Sequence, residues 1–308
     1  MKTPTAAHRE IWERVAHDAG LSAEAERLLA YAEPCFLVES LTRGTGSVGA
    51  SRLGGVPDLP STLAWPTRED THLTFLAQLD LSALRSSWID GLPSSGWLYF
   101  FLGVDQPATN VTHEVLYFDG PREELSPTAP PAGTRAIEGF SPRELAACEL
   151  RLRPSFVVDG AAEEALELED FALEFLEATQ TQLGGLPVAW DDDPRQDVHL
   201  LRSGLASLLY RTHLEPHHLE KQAQDAWADA DEERAEALER ATEDLRAFRA
   251  EEPRHRAEMK RWRVLFLLAS EREVGMCWWD AGLLQFLVHE DDLRERLFVH
   301  TYCCVSSS

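Results

Sequence analysis

The chain has 308 residues, 44% of them hydrophobic, enough for a sizeable core in one large domain or two ordinary ones. Its 29 Lys and Arg stand against 53 Asp and Glu, a formal net charge of −24. A chain this acidic repels phosphate backbones and anionic lipid surfaces, so neither nucleic acid nor a membrane is expected as a partner, while a basic protein, a cation or, as the simplest reading, solubility alone is compatible with it.

Residues 6–32 read as helix, with Ser22 as an N-cap and Pro34 just past the end. The polar run around His8–Arg14 lacks a signal peptide's apolar stretch, and a cytoplasmic location is expected. Cys35–Glu39 reads as a short strand. Thr42–Gly55, with five glycines, reads as loop. Apolar strands are expected at Leu73–Leu79, Trp97–Leu102 and Val115–Phe118, then a Pro-rich surface loop over Pro121–Pro131. Ala161–Thr179 reads as an acidic helix whose apolar side carries Leu168, Phe171, Phe175 and Leu176, with Glu163, Glu164, Glu167, Glu174 and Glu177 exposed. Glu220–Arg249 reads as one long helix with a narrow stripe of Trp227, Ala230, Arg234, Leu238, Ala241, Leu245 and Phe248, expected to pack on its own chain. Strands follow at Arg263–Ala269, Met276–Trp279 and Leu283–Val288, then a turn of helix from Glu290 and a last strand over Leu297–Val305.

A repeat runs through this order. Leu53-Gly54-Gly55-Val56-Pro57, the strand around Phe75 and Gly96-Trp97-Leu98 return as Leu183-Gly184-Gly185-Leu186-Pro187, the strand around Phe266 and Gly282-Leu283-Leu284. Pro57 to Gly96 spans 39 residues and Pro187 to Gly282 spans 95; the surplus is about the size of Leu214–Arg261. The expected organisation is a helical segment (1–34), a first repeat unit (35–160) and a second (161–308) with a helical insertion (214–261), all within one compact domain.

Ser51–Pro57 with Leu59-Pro60 and Trp65-Pro66, Phe75-Leu76-Ala77-Gln78-Leu79-Asp80-Leu81, Leu92-Pro93, Gly96 and Gly275–Phe286 resemble the YwqG-like family over roughly residues 30–305. Thr181-Gln182-Leu183-Gly184-Gly185 departs from that family's pattern, as does the long charged helix. The resemblance implies a duplicated α+β architecture with largely antiparallel sheets, and it implies no biochemistry.

Gln78 and Asp80 are unusual on an apolar strand, and alternation puts them on one face. With Arg52, Gly54, Gly55, Trp65 and Asp280 they define a candidate ligand cleft between the copies; the simpler reading is that they are satisfied polar groups holding the Gly-Gly loops. His213-Leu214-Glu215-Pro216-His217-His218 is the most metal-like cluster, but Pro216 interrupts it, and a solvated turn opening the long helix fits better. Asp191-Asp192-Asp193 with Asp197 lacks the glycine and terminal glutamate of a calcium loop. Gly44-x-Gly46-x-x-Gly49 is not followed by helix, so it is no dinucleotide fingerprint. Cys35, Cys148, Cys277, Cys303 and Cys304 show neither a disulfide framework nor zinc spacing, and no Ser or Cys sits in an elbow motif.

No cofactor or metal is therefore expected. The composition points to a non-catalytic interaction module for a basic protein, of the kind an immunity protein presents to a toxin. The alternative is a small-ligand-binding protein or an enzyme that uses the cleft between the copies.

Overall fold

Two short sequences, Pro34-Cys35-Phe36-Leu37-Val38 and Pro154-Ser155-Phe156-Val157-Val158, lie side by side at the centre of the main sheet, with Cys35 opposite Ser155. They belong to β1 (Ala32–Arg43) and β6 (Cys148–Val158). Each proline stands where its strand is paired on one side only, so its missing N–H breaks no second ladder. The structure, a computed structural model, describes residues 4–85, 87–104, 109–136, 144–168, 173–174, 176, 179–190 and 193–307. Its chain forms two units, residues 1–190 with 263–308, and residues 191–262.

The other strands of the main sheet are β2 (Arg52–Leu53), β3 (Thr74–Asp80), β4 (Trp97–Leu102), β5 (His113–Phe118), β7 (Gln182–Gly184), β8 (Trp262–Ala269), β9 (Leu283–His289) and β10 (Tyr302–Ser306). Their order is β10-β9-β8-β7-β1-β6-β2-β3-β4-β5, with largely antiparallel pairing, and the fold class is α+β. That order mirrors about the β1–β6 pair: a short strand ending in Leu-Gly-Gly or leading into it flanks the centre on each side, followed by three longer strands. The sheet curls over. Phe100 on β4 meets Phe266 on β8 at 4.8 Å and Phe286 on β9 at 5.1 Å, and Val111 N–H donates to the Cys303 carbonyl at 2.8 Å.

The apolar runs are long because several strands are buried on both faces. All seven residues of β3 and all six of β4 are buried. Leu76, Leu98 and Phe100 face the main core, while Phe75, Tyr99 and Phe101 are covered by Leu59, Trp65 and Leu125. On the other wing, Val264, Leu267 and Leu283 are covered by Val188. Each Gly-Gly-x-Pro segment thus carries the chain from the sheet centre onto the outer face of its own wing.

Several sequence expectations need correction. Helix α1 is Ala6–Asp18, capped by Thr5, and the chain turns at Gly20 before a short helical turn over Ala25–Leu28. Burial of Ile11, Trp12 and Ala16 holds α1, with Trp12 edge-on to Phe156 at 5.5 Å. Among the described residues the expected helix over 161–179 is only α2 (Ala161–Leu166), ended by Glu167 in a left-handed conformation; Phe171, Phe175 and Glu177 lie outside the described residues. Strand β6 was not foreseen. Met276–Trp279 is no strand: it is a turn that buries Met276 and Trp278, with Trp279 and Ala281 left-handed. The last strand starts at Tyr302, after a 3-10 turn over Phe298–His300.

The second unit is helical: α3 (Pro194–Arg202), α4 (Pro216–Ala228), α5 (Glu232–Ala250) and α6 (Glu252–Met259). The expected single helix Glu220–Arg249 is broken at Asp229–Asp231, where Ala230 is left-handed and Asp231 caps α5. The two arms run antiparallel, as the pairs Arg246–Glu220, Arg249–Glu215 and Trp227–Glu239 show. Breaking the helix lets Leu238, Leu245 and Phe248 pack on Leu219, Ala223 and Ala226. Trp227, expected in that stripe, is 43% exposed and donates its indole N–H to Glu239.

Candidate functional site

The glycine-rich segment before Pro57 is organised around one buried ion pair. Arg52 and Asp58, 2% and 1% exposed, meet at 2.7 Å. The guanidinium also donates to the carbonyls of Thr45 and Val56, at 2.9 and 2.8 Å. Asp58 Oδ2 accepts from Gly49 N–H at 2.7 Å and from Gln78 Nε2 at 3.0 Å. Gln78 returns the contact, accepting Asp58 N–H at 2.7 Å, and Tyr99 donates to the Asp58 carbonyl at 2.8 Å. Burial, reinforced by the Asp58 carboxylate, pushes the Tyr99 phenol up. Two of the expected site residues, Arg52 and Gln78, are therefore brought together, in a closed network that also contains Asp58.

The remaining expected residues lie elsewhere. Asp80 is buried, caps the turn at Ser82 and pairs with Arg122, whose guanidinium stacks over Trp97. Trp65 packs under the outer face of β4 and donates to the Leu73 carbonyl at 2.9 Å. Asp280 is exposed on the turn before β9. Gly54 has φ +65°, and a Cβ there would lie 2.3 Å from the Ala146 carbonyl oxygen; Gly55, at φ +70°, would meet Ala147. These two glycines serve close backbone packing.

The matching position in the other wing is built differently. Val188 follows Pro187 as Asp58 follows Pro57, and its N–H and carbonyl both bind the Gln285 amide, at 2.8 and 2.9 Å. Gln285 stands where Tyr99 stands, third after a glycine.

Pro216 is the first residue of α4, and Glu215, beside Arg249, has its carboxyl held below the usual carboxylate range. The His217 and His218 rings lie tilted against each other, with centroids 4.1 Å apart. Asp193 caps α3 and pairs with Arg195, and Asp197 is buried; Asp191 and Asp192 lie outside the described residues. Among the described residues no three His, Cys, Asp or Glu side chains gather as a metal would need. Gly49 is spent on Asp58, and burial pushes the thiols of Cys35 and Cys303 well up, which leaves them poor nucleophiles.

A cleft of about 550 Å³ does open in the first unit, at the second Gly-Gly loop. Gly184 and Gly185 form part of its wall, and Trp88 and His8 another. His8 accepts the Thr5 N–H at Nδ1 and donates from Nε2 to the Trp88 carbonyl, and Trp88 in turn donates to the Cys35 carbonyl at 2.8 Å. Arg263, Arg294 and Arg296 face Glu33, Asp90 and Glu290 around it. None of the seven expected site residues lines this cleft. Sequence reasoning missed its residues because they are scattered along the chain from position 5 to position 296. It missed Asp58 too, although a strand-borne arginine in an apolar setting requires a buried counter-charge.

The fold and the loops that organise it define an α+β protein assembled on two Gly-Gly-x-Pro segments. The chain belongs to the family described as Domain of unknown function (DUF1963), whose model matches residues 51–306. That span holds both Gly-Gly loops and the helical unit. No curated protein matches the chain. Among the described residues, no helix is long and apolar enough to cross a membrane.

Proposed function

We propose that this protein is a non-catalytic binding module of YwqG-like type, cytoplasmic and internally duplicated, that docks a basic protein partner through its acidic surface. The observation that carries the proposal is the distribution of charge. Between Arg153 and Arg195 there is no Lys, Arg or His, while acids recur from Asp159 to Asp193. Of these, Glu164, Glu167 and Glu174 are exposed. The polar residues that could have carried chemistry, Arg52, Gln78 and Asp80, spend their hydrogen bonds inside the protein. A field of one sign raises the rate at which an oppositely charged partner arrives. The four buried thiols suit a reducing compartment. The mirrored strand order and the paired Pro-x-Phe sequences favour a duplication.

The experiment is capture of partners from a native lysate, read by mass spectrometry, followed by association kinetics with the captured protein. A basic partner whose association slows about tenfold or more as salt is raised supports the proposal. An acidic or neutral partner, or a rate indifferent to salt, refutes it. Replacing Glu164, Glu167 and Glu174 together by Gln is expected to slow association and leave dissociation nearly unchanged.

A further inference from the structure

We propose that the cleft at the second Gly-Gly loop binds a free α-amino acid. This goes beyond partner docking and does not depend on it. The cleft's volume, about 550 Å³, lies within the range usual for small-molecule sites. Among the described residues that line it the charges are balanced, three arginines against three carboxylates, on a chain whose net charge is −24. A simple anion would meet Glu33 and Glu290, and a simple cation would meet the arginines. A small molecule that carries both charges is matched.

Arg263 supplies the finer argument. Arg296 is engaged by Asp119 at 2.6 Å, and Arg294 by Asp291 and Glu290 at 3.2 and 3.3 Å. Arg263 instead stands 3.7 Å from Glu33 and 3.9 Å from Glu290, beyond hydrogen-bond reach of either, and no described residue accepts a hydrogen bond from its guanidinium. Two carboxylates thus hold the cation in place while its donors stay available. An α-amino acid closes this arrangement into a four-sided ring. Its carboxylate takes an Arg263 N–H and its ammonium gives to Glu33 or Glu290, each at about 2.8 Å. The ligand's own ammonium nitrogen and carboxylate oxygen are about 3 Å apart, since only Cα and one carbon separate them. The fourth side is the 3.7 Å already present between Arg263 and Glu33. In a dipeptide the two charges are a peptide unit further apart, and one of them must miss its partner. The wall formed by His8 and Trp88 is fixed in advance by their bonds, so little ordering is needed there on binding. The ligand's side chain would extend toward Leu92 and Pro93.

The test titrates the full chain with the twenty common amino acids singly, by calorimetry and thermal shift, then repeats the best with its N-acetyl and its amide derivatives and with glycylglycine. The expected result is saturable binding of at least one free amino acid, about tenfold or more weaker when either charged group is blocked. Arg263→Met is expected to weaken binding similarly while the far-ultraviolet dichroism stays unchanged. If no amino acid binds, or if the blocked derivatives or glycylglycine bind as tightly as the free form, the proposal is overturned. Those arms use the unaltered protein, so they decide the matter even if Arg263→Met does not fold. Undiminished binding by a folded Arg263→Met overturns it as well.

Discussion

Replacing Asp58 by Ala is expected to be among the most damaging single changes available in the first unit. The substitution leaves the Arg52 guanidinium, 2% exposed, without its counter-charge. It also strips the acceptor from Gly49 N–H and from Gln78 Nε2. Removing one partner of a buried pair costs about 3–5 kcal/mol, because the remaining charge stays desolvated. The orphaned amides belong to the same loss and are not to be added to it. Against a total stability of about 5–15 kcal/mol, this is a large fraction. For a unit of this size it corresponds to a fall in melting temperature of roughly 10 °C. Urea denaturation followed by tryptophan fluorescence, with scanning calorimetry, measures it. The double change Arg52→Leu with Asp58→Leu removes both charges and is expected to recover more than half of the loss. A cost below about 1 kcal/mol for Asp58→Ala would mean that water reaches the pair, and the reasoning would be refuted.

Three further outcomes are expected. Gly54→Ala should cost more stability than Gly184→Ala in parallel melts: both positions have positive φ, but the new Cβ meets the Ala146 carbonyl oxygen at 2.3 Å in the first case and the movable end of Ile89 at 2.4 Å in the second. In the helical unit, His199 Nε2 meets His255 Nδ1 at 2.8 Å, and burial, with His255 beside it, lowers the His199 pKa. The folded state then binds fewer protons than the unfolded one, so this contribution is complete above about pH 6.5 and is lost as pH falls through the lowered value; His199→Gln should flatten the dependence in melts from pH 5 to 8. Of the five thiols only Cys277 is exposed, so a chromogenic disulfide reagent should titrate one fast equivalent from the native protein, and the Cys277→Ser variant none.

Strands β3, β4, β8 and β9 were legible because burial on both faces writes a continuous apolar run. Strand β6 was harder to see: Glu149, Arg151 and Arg153 alternate through it and Pro154 follows, a pattern that suits a strand open on one side. Met276–Trp279 misled for the opposite reason, since burial of alternate side chains also occurs in a turn that folds over a core. In the helical unit, the stripe from Leu238 to Phe248 was visible, but its partner was not. The break at Asp229–Asp231 satisfies a tertiary need that local spacing does not express. At the candidate site, Arg52 and Gln78 stood out as polar groups among apolar neighbours. Asp58 did not, because a single acid beside a proline has no pattern until the chain folds back.

The mirrored sheet also bears on how the chain is made. On β1, Cys35 pairs with Ser155 on one side and Gly184 on the other, so the central strand has neither neighbour until well over a hundred further residues exist. Strand β2 finds β3 on one side soon after it is made, but its other side waits for Cys148 and Glu149. During vectorial synthesis the first strands must therefore remain open-edged, and partner contacts of such long sequence separation form slowly. Neither half can finish its sheet alone. Fragments cut between β5 and β6 should be sticky separately and regain the ten-stranded sheet when mixed, which makes this protein an intertwined pair of halves on one chain.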